Sequence, residues 1–197
     1  MKIENNQKKN TSAFIMIEVL VSISILLLCV PSAYNSIQSG TTGARYAKDQ
    51  LIASYLAQEG LEIIESRRSD NMIDLNTVGT VSGWLDGIDP ECTGANGCAV
   101  DIGYGASDPT ITACASAVCG RLNINNFGLF AYNTGAGWTA TKYSRVVRVQ
   151  VASASCGHSL CPEEATVTSS VSYDLPNIGT RTVTVVEDMY YWLAPAI

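Results

Sequence analysis

Six of the seven cysteines in this chain fall in close pairs, and paired thiols at such spacing can form disulfides or bind zinc. The pairs are Cys92–Cys98, Cys114–Cys119 and Cys156–Cys161. Zinc ribbons favour two to four residues between ligand cysteines, whereas the gaps here are five, four and four residues. Locally paired cysteines in even number are typical of disulfides in an exported protein, and free thiols are the alternative in a reducing compartment. We therefore expect three local disulfides.

One carboxylate, Glu18, interrupts an apolar run that extends over residues 14–34. A carboxylate near the middle of a membrane costs about 2.5–3.5 kcal/mol, so such a residue is seldom present without a function. We therefore interpret Glu18 as a functional residue, with pairing to some other membrane helix as the general alternative. The same run contains the seventh cysteine, Cys29, which we expect to remain a free thiol buried in the helix core.

Catalytic and metal-binding patterns are missing from the sequence. The single histidine, His158, lies between two paired cysteines, and there is no Gly-x-Ser-x-Gly motif, Gly-rich phosphate loop or His/Cys metal pattern. Asp86, Asp89 and Glu91 lack the spacing of a known calcium loop, which favours a solvated acidic turn over a calcium site. We therefore expect no catalytic residue, no metal site and no cofactor, and a protein that is not an enzyme.

Composition and charge exclude further classes of function. The chain has 197 residues, enough for one globular domain and an additional segment, and 47% of them are hydrophobic. Its formal net charge is −6, and no cluster of Lys and Arg follows the first ten residues. Because nucleic-acid affinity comes largely from such clusters, we expect no nucleic acid as the primary ligand.

Residues 14–34 form the segment that must position Glu18. As a helix these 21 residues would be about 31 Å long, which matches the hydrocarbon thickness of a bilayer. The polar residues 1–13 carry Lys2, Lys8 and Lys9, which predicts a cytoplasmic N-terminus. A cleavable secretory signal is the alternative, but the run ends without a good small-residue cleavage site, and an internal carboxylate would weaken such a signal. The pattern predicts a single-pass anchor in the cytoplasmic membrane.

Residues 35–70 are predicted to continue this helix as an amphipathic segment. At 100° per residue the large apolar side chains share one face, with Glu59 inside the stripe and Leu61 outside it. The predicted stripe consists of Leu51, Ile52, Tyr55, Leu56 and Ile63. Pro31 should kink the helix or release one hydrogen bond, and the basic, Asp and Asn residues at 67–71 are typical of a helix end.

Residues 71–197 are predicted to form a disulfide-containing, β-rich globular domain. Apolar side chains alternate there with polar ones, which is the period of a strand with one solvated face. The alternating apolar residues are Val147, Val149, Val151, Val167, Val171 and Tyr173. Residues 180–186 mix Thr and Val, and the Asn-Ile-Gly at 177–179 fits a hairpin turn. We expect an α+β fold in which an antiparallel sheet packs on the upper part of the helix.

The sequence AFIMIEVLVSI at residues 13–23 resembles the class III signal of type IV pilins and pseudopilins. In that family a prepilin peptidase cuts before a Phe, the new amine is usually methylated, and the fifth residue of the mature chain is Glu. The resemblance implies a leader at residues 1–13, processing between Ala13 and Phe14, N-methylation of Phe14 and a subunit-docking role for Glu18. The family usually has Gly at the position of Ala13. The implied fold is the type IV pilin fold, with its long N-terminal helix against a C-terminal antiparallel sheet.

Two further stretches, residues 53–62 and 143–149, are more weakly similar to minor pilins of the pilus modification type. This implies a structural subunit of a type IV pilus or related filament, anchored in the membrane before assembly and extracellular afterwards. The implied partners are other pilin subunits, the prepilin peptidase, the pilus assembly platform and the membrane. One alternative is a pseudopilin of a type II secretion or DNA-uptake system. Another, from a different class, is a monomeric membrane-anchored binding module.

Cleavage before Phe14 would create a partner for Glu18. The ammonium of one subunit and the carboxylate of its neighbour can neutralise each other in lipid or in a filament core, although desolvation offsets much of the attraction. The main value of such a pair is that it favours one axial offset between subunits. A plain membrane anchor has no use for this carboxylate, which favours the filament subunit over the monomeric module.

Overall fold

The computed structural model describes residues 10–79, 81–102, 109–152, 164–176 and 178–191, with side chains from residue 15 onward. The chain divides into two compact units, Met1–Lys48 and Asp49–Ile197, and the boundary falls inside one long helix. The third predicted disulfide, Cys156–Cys161, and His158 lie outside the described residues.

The helix α1 (Asn10–Thr77) contains 68 residues. It continues through Pro31, whose ring nitrogen has no proton to donate to the carbonyl of Leu27, so the helix tolerates this missing hydrogen bond without ending. The predicted end near residues 67–71 is wrong. The helix runs on to Thr77, because the side chains on this last part find partners in the globular unit.

The partners of Asn71 show why the helix continues. Asn71 is buried, and its Nδ2 donates hydrogen bonds to the carbonyl oxygens of Trp84 at 3.2 Å and Asp86 at 2.8 Å. Beyond the last turn, the N–H of Gly79 donates to the carbonyl of Asp74 at 2.7 Å. Gly79 has a φ of 70°, the left-handed conformation that commonly closes a helix C-terminus.

The described part of the second unit contains an antiparallel sheet of seven strands. The strands are β1 (Cys98–Asp101), β2 (Thr110–Ala113), β3 (Arg121–Asn125), β4 (Phe130–Ala131), β5 (Trp138–Val151), β6 (Glu164–Leu175) and β7 (Gly179–Tyr190). The long strand β5 lies at the centre, with β6 along one side and both β1 and β3 along the other. The sheet then extends to β2 beyond β1, to β4 beyond β3 and to β7 beyond β6.

Strands β5 and β6 confirm the predicted alternation. Their inward-facing side chains are buried at Val147, Val149, Val167, Val171 and Tyr173. Leu175 of β6 pairs with Gly179 of β7, so these strands are joined at the position of the predicted turn, of which Asn177 lies outside the described residues. The helix-on-antiparallel-sheet layout is the expected α+β class.

The hydrophobic core of the second unit lies between α1 and the sheet. The helix contributes Leu61, Ile63, Ile64 and Met72, and the sheet contributes Val100, Val147, Val149, Ala165, Val167 and Met189. Two disulfides border this region. Cys92–Cys98 has a Cα–Cα distance of 4.6 Å and joins the core, and Cys114–Cys119 has a Cα–Cα distance of 5.1 Å.

The buried stripe of α1 differs from the predicted one. Leu51 and Tyr55, expected inside, are 54% and 63% exposed, whereas Leu61, expected outside, is buried. The sheet instead covers a row of small residues on the helix, which are Ala53, Ala57 and Gly60. Small residues let strands approach a helix backbone closely, but they carry little weight in a pattern of large apolar side chains.

Candidate functional site

The first unit presents an exposed apolar helix surface. Large apolar side chains from Ile15 to Val30 are 48% to 75% exposed. By length and composition, α1 is the one described helix that could cross a membrane. An uncovered apolar surface of this length is unfavourable in water and favourable in hydrocarbon.

The hydroxyl groups on this segment bond back to the helix. Ser22 Oγ donates to the carbonyl of Glu18 at 2.8 Å, and Ser24 Oγ donates to the carbonyl of Leu20 at 2.7 Å. Because these hydroxyls already have acceptors, they need no water. The serines are therefore compatible with a lipid or protein environment around the helix.

Glu18 is the single charged residue among residues 15–44. Its side chain is exposed, and it takes part in none of the salt bridges within the described part of the chain. A carboxylate surrounded by apolar side chains is costly in hydrocarbon unless a cation neutralises it. Such a cation must come from another molecule or from the N-terminal residues.

The predictions for Ala13, Phe14 and Cys29, which lie on the same segment, compare differently with the structure. Ala13 and Phe14 lie in the first turns of α1, with only their backbone described, and cleavage between them stays a prediction. Cys29 is a free thiol, as expected, but it is exposed rather than buried. The prediction of a buried thiol is wrong for the single chain, because no described element covers this part of the helix.

A second set of polar residues joins α1 to the sheet through Arg145, whose side chain is 1% exposed. Arg145 Nη1 donates to the carbonyl of Leu56 at 2.9 Å and to Glu59 Oε2 at 3.2 Å. Its Nη2 donates to the carbonyl of Val100 at 2.6 Å. One guanidinium on β5 thus bonds to the helix and to β1, and its planar shape suits several acceptors at once.

Two neighbours complete what we call the Arg145 cluster, which consists of Arg145, Glu59, Asp101 and Tyr132. The hydroxyl of Tyr132 donates to the carbonyl of Arg145 at 2.9 Å, and the N–H of Tyr132 donates to Asp101 Oδ2 at 2.8 Å. Burial raises the pKa of Glu59 above its ordinary value, and the charge of Arg145 only partly offsets this effect. Burial likewise raises the pKa of the Tyr132 hydroxyl. Arg145 and Asp101 are buried and Glu59 and Tyr132 are half-buried, and the cluster is arranged to hold the elements together.

A further charged contact links α1 to β5. Lys142 Nζ forms a salt bridge with Asp49, and the hydroxyl of Tyr143 donates to Asp49 Oδ1 at 3.1 Å. The ammonium also lies 5.7 Å from the ring centroid of Tyr143 and 5.8 Å from that of Tyr173. Burial, reinforced by the negative charge of Asp49, raises the pKa of Tyr143. This contact therefore fixes the helix against the sheet about two to three turns before the helix residues that contact Arg145.

The acidic turn at residues 86–91 is engaged in local hydrogen bonds. Ser82 Oγ donates to Asp86 Oδ1 at 3.0 Å, and the hydroxyl of Thr93 donates to Asp89. Within the ranges that the structure describes, no group of three or more His, Cys, Asp or Glu residues could hold a metal ion.

The sequence contains a signal for the Arg145 cluster beyond the misfit of Glu59 in the apolar stripe of α1. Arg145 has the same parity on β5 as the buried Val147 and Val149, so the alternation itself places it inward. Two opposite charges at buried positions of neighbouring elements predict an ion pair.

Comparison of the chain with protein-family models, with curated proteins and with solved structures finds no match in any of the three.

Proposed function

We propose that this protein is a structural subunit of a type IV pilus or a related filament, of the minor pilin kind, with the type IV pilin fold. The observation that carries the proposal is the exposed apolar surface of α1 with one carboxylate, Glu18, four residues after Phe14, which has no salt-bridge partner among the described residues. In the membrane this surface anchors the precursor. In the filament the same surface packs against the helices of other subunits.

Glu18 determines the axial position of a subunit in this proposal. The prepilin peptidase removes residues 1–13, and the methylated amine of Phe14 becomes the cation that neutralises Glu18 of a neighbouring subunit. Between Phe14 and Arg45, Glu18 is the one charged side chain, so a subunit that enters at a wrong axial offset leaves both charges unpaired. Breaking a buried ion pair from one side costs about 3–5 kcal/mol, which corresponds to more than a hundredfold in an equilibrium.

The test compares Glu18→Gln with Ser22→Ala in cells that assemble the filament. Glu18→Gln keeps the size of the side chain and removes its charge, whereas Ser22→Ala removes a hydroxyl that bonds only to its own helix. We expect both variants to insert into the membrane. Sheared filaments should contain Ser22→Ala at the wild-type ratio and Glu18→Gln at a ratio reduced by about a hundredfold.

Mass spectrometry of the wild-type protein from membranes and sheared filaments separates the remaining functions. A mature chain that begins at methylated Phe14 and occurs in filaments supports the proposal. A processed protein that stays in the membrane supports a pseudopilin, and an unprocessed one supports a membrane-anchored binding module. Glu18→Gln in filaments at the wild-type ratio would show that Glu18 is not a docking residue.

A further inference from the structure

Strand β7 (Gly179–Tyr190) leaves one long edge of the sheet open. Of the described strands it pairs only with β6, so its second edge has backbone N–H and C=O groups without strand partners. The strand contains 12 residues, with neither Pro nor Lys. Proteins commonly use such residues, or very short edge strands, to prevent pairing with another chain.

The side chains of β7 are complementary to a second copy of β7 in an antiparallel register. If Thr184 pairs with Thr184 of the second copy, Arg181 lies opposite Glu187, and Val183 lies opposite Val185. Each of these pairings occurs twice, because the contact has two-fold symmetry. Opposite charges and β-branched pairs at directly opposed positions stabilise a sheet, and like charges there destabilise it.

The exposure of these residues fits the same register. Arg181 and Glu187 are exposed, and neither forms a salt bridge within the described residues. Both lie on the inward-facing row of β7, because they pair with the buried residues Tyr173 and Val167 of β6. In this row the two charges flank Val183 and Val185, and the buried Met189 follows Glu187. Neither charge has a salt-bridge partner among the described residues, whereas a second copy in this register supplies one for each.

We infer that β7 is a homotypic interface, at which two copies of this protein pair edge to edge through antiparallel strands centred on Thr184. The contact is isologous, so the two joined sheets run in opposite directions. Helical symmetry places all subunits of one filament in the same direction. If the proposed function holds, this contact joins subunits of separate filaments.

Disulfide trapping tests the register of the two β7 strands directly. The sample is the full-length protein in detergent with excess micelles, and it carries Cys29→Ser so that the free thiol of Cys29 cannot cross-link. In the inferred register the two Thr184 Cα atoms are about 4.5–5.5 Å apart, within the range of a disulfide. The two copies of Thr182 are offset by four residues, or about 13 Å, and cannot be bridged. We expect Thr184→Cys to give a cross-linked dimer on mild oxidation and the matched control Thr182→Cys to give none.

Charge reversal tests whether Arg181 of one copy and Glu187 of the other attract each other across the interface. In the Thr184→Cys background, Arg181→Glu or Glu187→Arg alone should slow dimer formation about tenfold, because each creates two like-charge contacts. The combined variant exchanges the charges and should restore the wild-type rate, whereas Lys48→Glu, an exposed reversal on the other unit, should have no effect. Equal cross-linking at positions 182 and 184, no cross-linking at either, or no recovery in the combined variant would overturn the inference. None of these results depends on filament assembly.

Discussion

Arg145→Met is the substitution that most directly tests how α1 is held on the sheet. Methionine fills most of the volume of the arginine stem but offers no donors. The change removes the hydrogen bonds to the carbonyls of Leu56 and Val100 and the ion pair with Glu59. The carbonyl of Leu56 has a second donor in the helix, so the loss falls mainly on Val100 and Glu59.

The expected loss of stability in Arg145→Met follows from the carbonyl of Val100 and the carboxylate of Glu59, which both lose their partner. A buried acceptor without a donor costs about 1–3 kcal/mol, and breaking a buried ion pair from one side costs about 3–5 kcal/mol. The side chain of Glu59 retains 25% exposure, so water can partly solvate the abandoned carboxylate, and the lower end of the second range applies. We expect Arg145→Met to lower the free energy of unfolding by about 3 kcal/mol.

A double variant separates the ion pair from general damage to the core. In Arg145→Met/Glu59→Leu no charge is left without a partner, and an apolar replacement of a buried pair is often neutral or stabilising. The double variant should recover about 2 kcal/mol relative to Arg145→Met. Arg148→Met is the matched control, because Arg148 lies on the same strand with an exposed contact to the carbonyl of Ala117, and it should cost less than about 0.5 kcal/mol.

The measurement is urea unfolding of the detergent-solubilised full chain, followed by tryptophan fluorescence. Trp84 is 2% exposed in the same core and should report the transition. A cost below about 1 kcal/mol for Arg145→Met would refute the reasoning. A double variant as unstable as Arg145→Met would refute it as well, because the defect would then lie in packing and not in the lost pair.

Two further predictions concern the surface on which α1 packs against the sheet. Gly60→Ala should lower the free energy of unfolding by about 1–3 kcal/mol, because the new Cβ would lie 2.6 Å from Ser169 Oγ. Adding Ser169→Ala removes that hydroxyl and should restore most of the stability, and Gly40→Ala, with nothing within 4 Å, should not destabilise the protein in the same urea titration. Since the folded state holds the proton of Glu59 more tightly than the unfolded state does, the free energy of unfolding should fall as pH rises from the ordinary to the raised pKa. Glu59→Gln should remove this slope, and an unchanged difference between pH 4 and pH 8 would contradict it.

The sheet could be predicted from the sequence because strand periodicity is two and the polar alternation of β5 and β6 is nearly unbroken. The predicted apolar stripe of α1 was misplaced because the centre of the buried stripe consists of Ala53, Ala57 and Gly60. Their small side chains contribute little to a periodic pattern of hydrophobic residues. The end of α1 was misplaced for a related reason. Asn71 continues the helix by donating to backbone carbonyls of a later loop, and backbone acceptors leave no trace in the sequence.

Charged residues within apolar stripes were the most informative exceptions to the expected patterns. Glu18, Glu59 and Arg145 are three examples. Glu59 and Arg145 account for one another, because they lie on elements that the fold brings together and form one partly buried ion pair. Glu18 has the same sequence character, yet it lies on an exposed helix surface, and no salt bridge of the described residues includes it. If an isolated charge in an apolar stripe indicates a partner, the partner of Glu18 has to come from the N-terminal residues or from whatever covers that surface. In the filament that we propose, a second subunit with a free amine at Phe14 would supply both the cover and the cation.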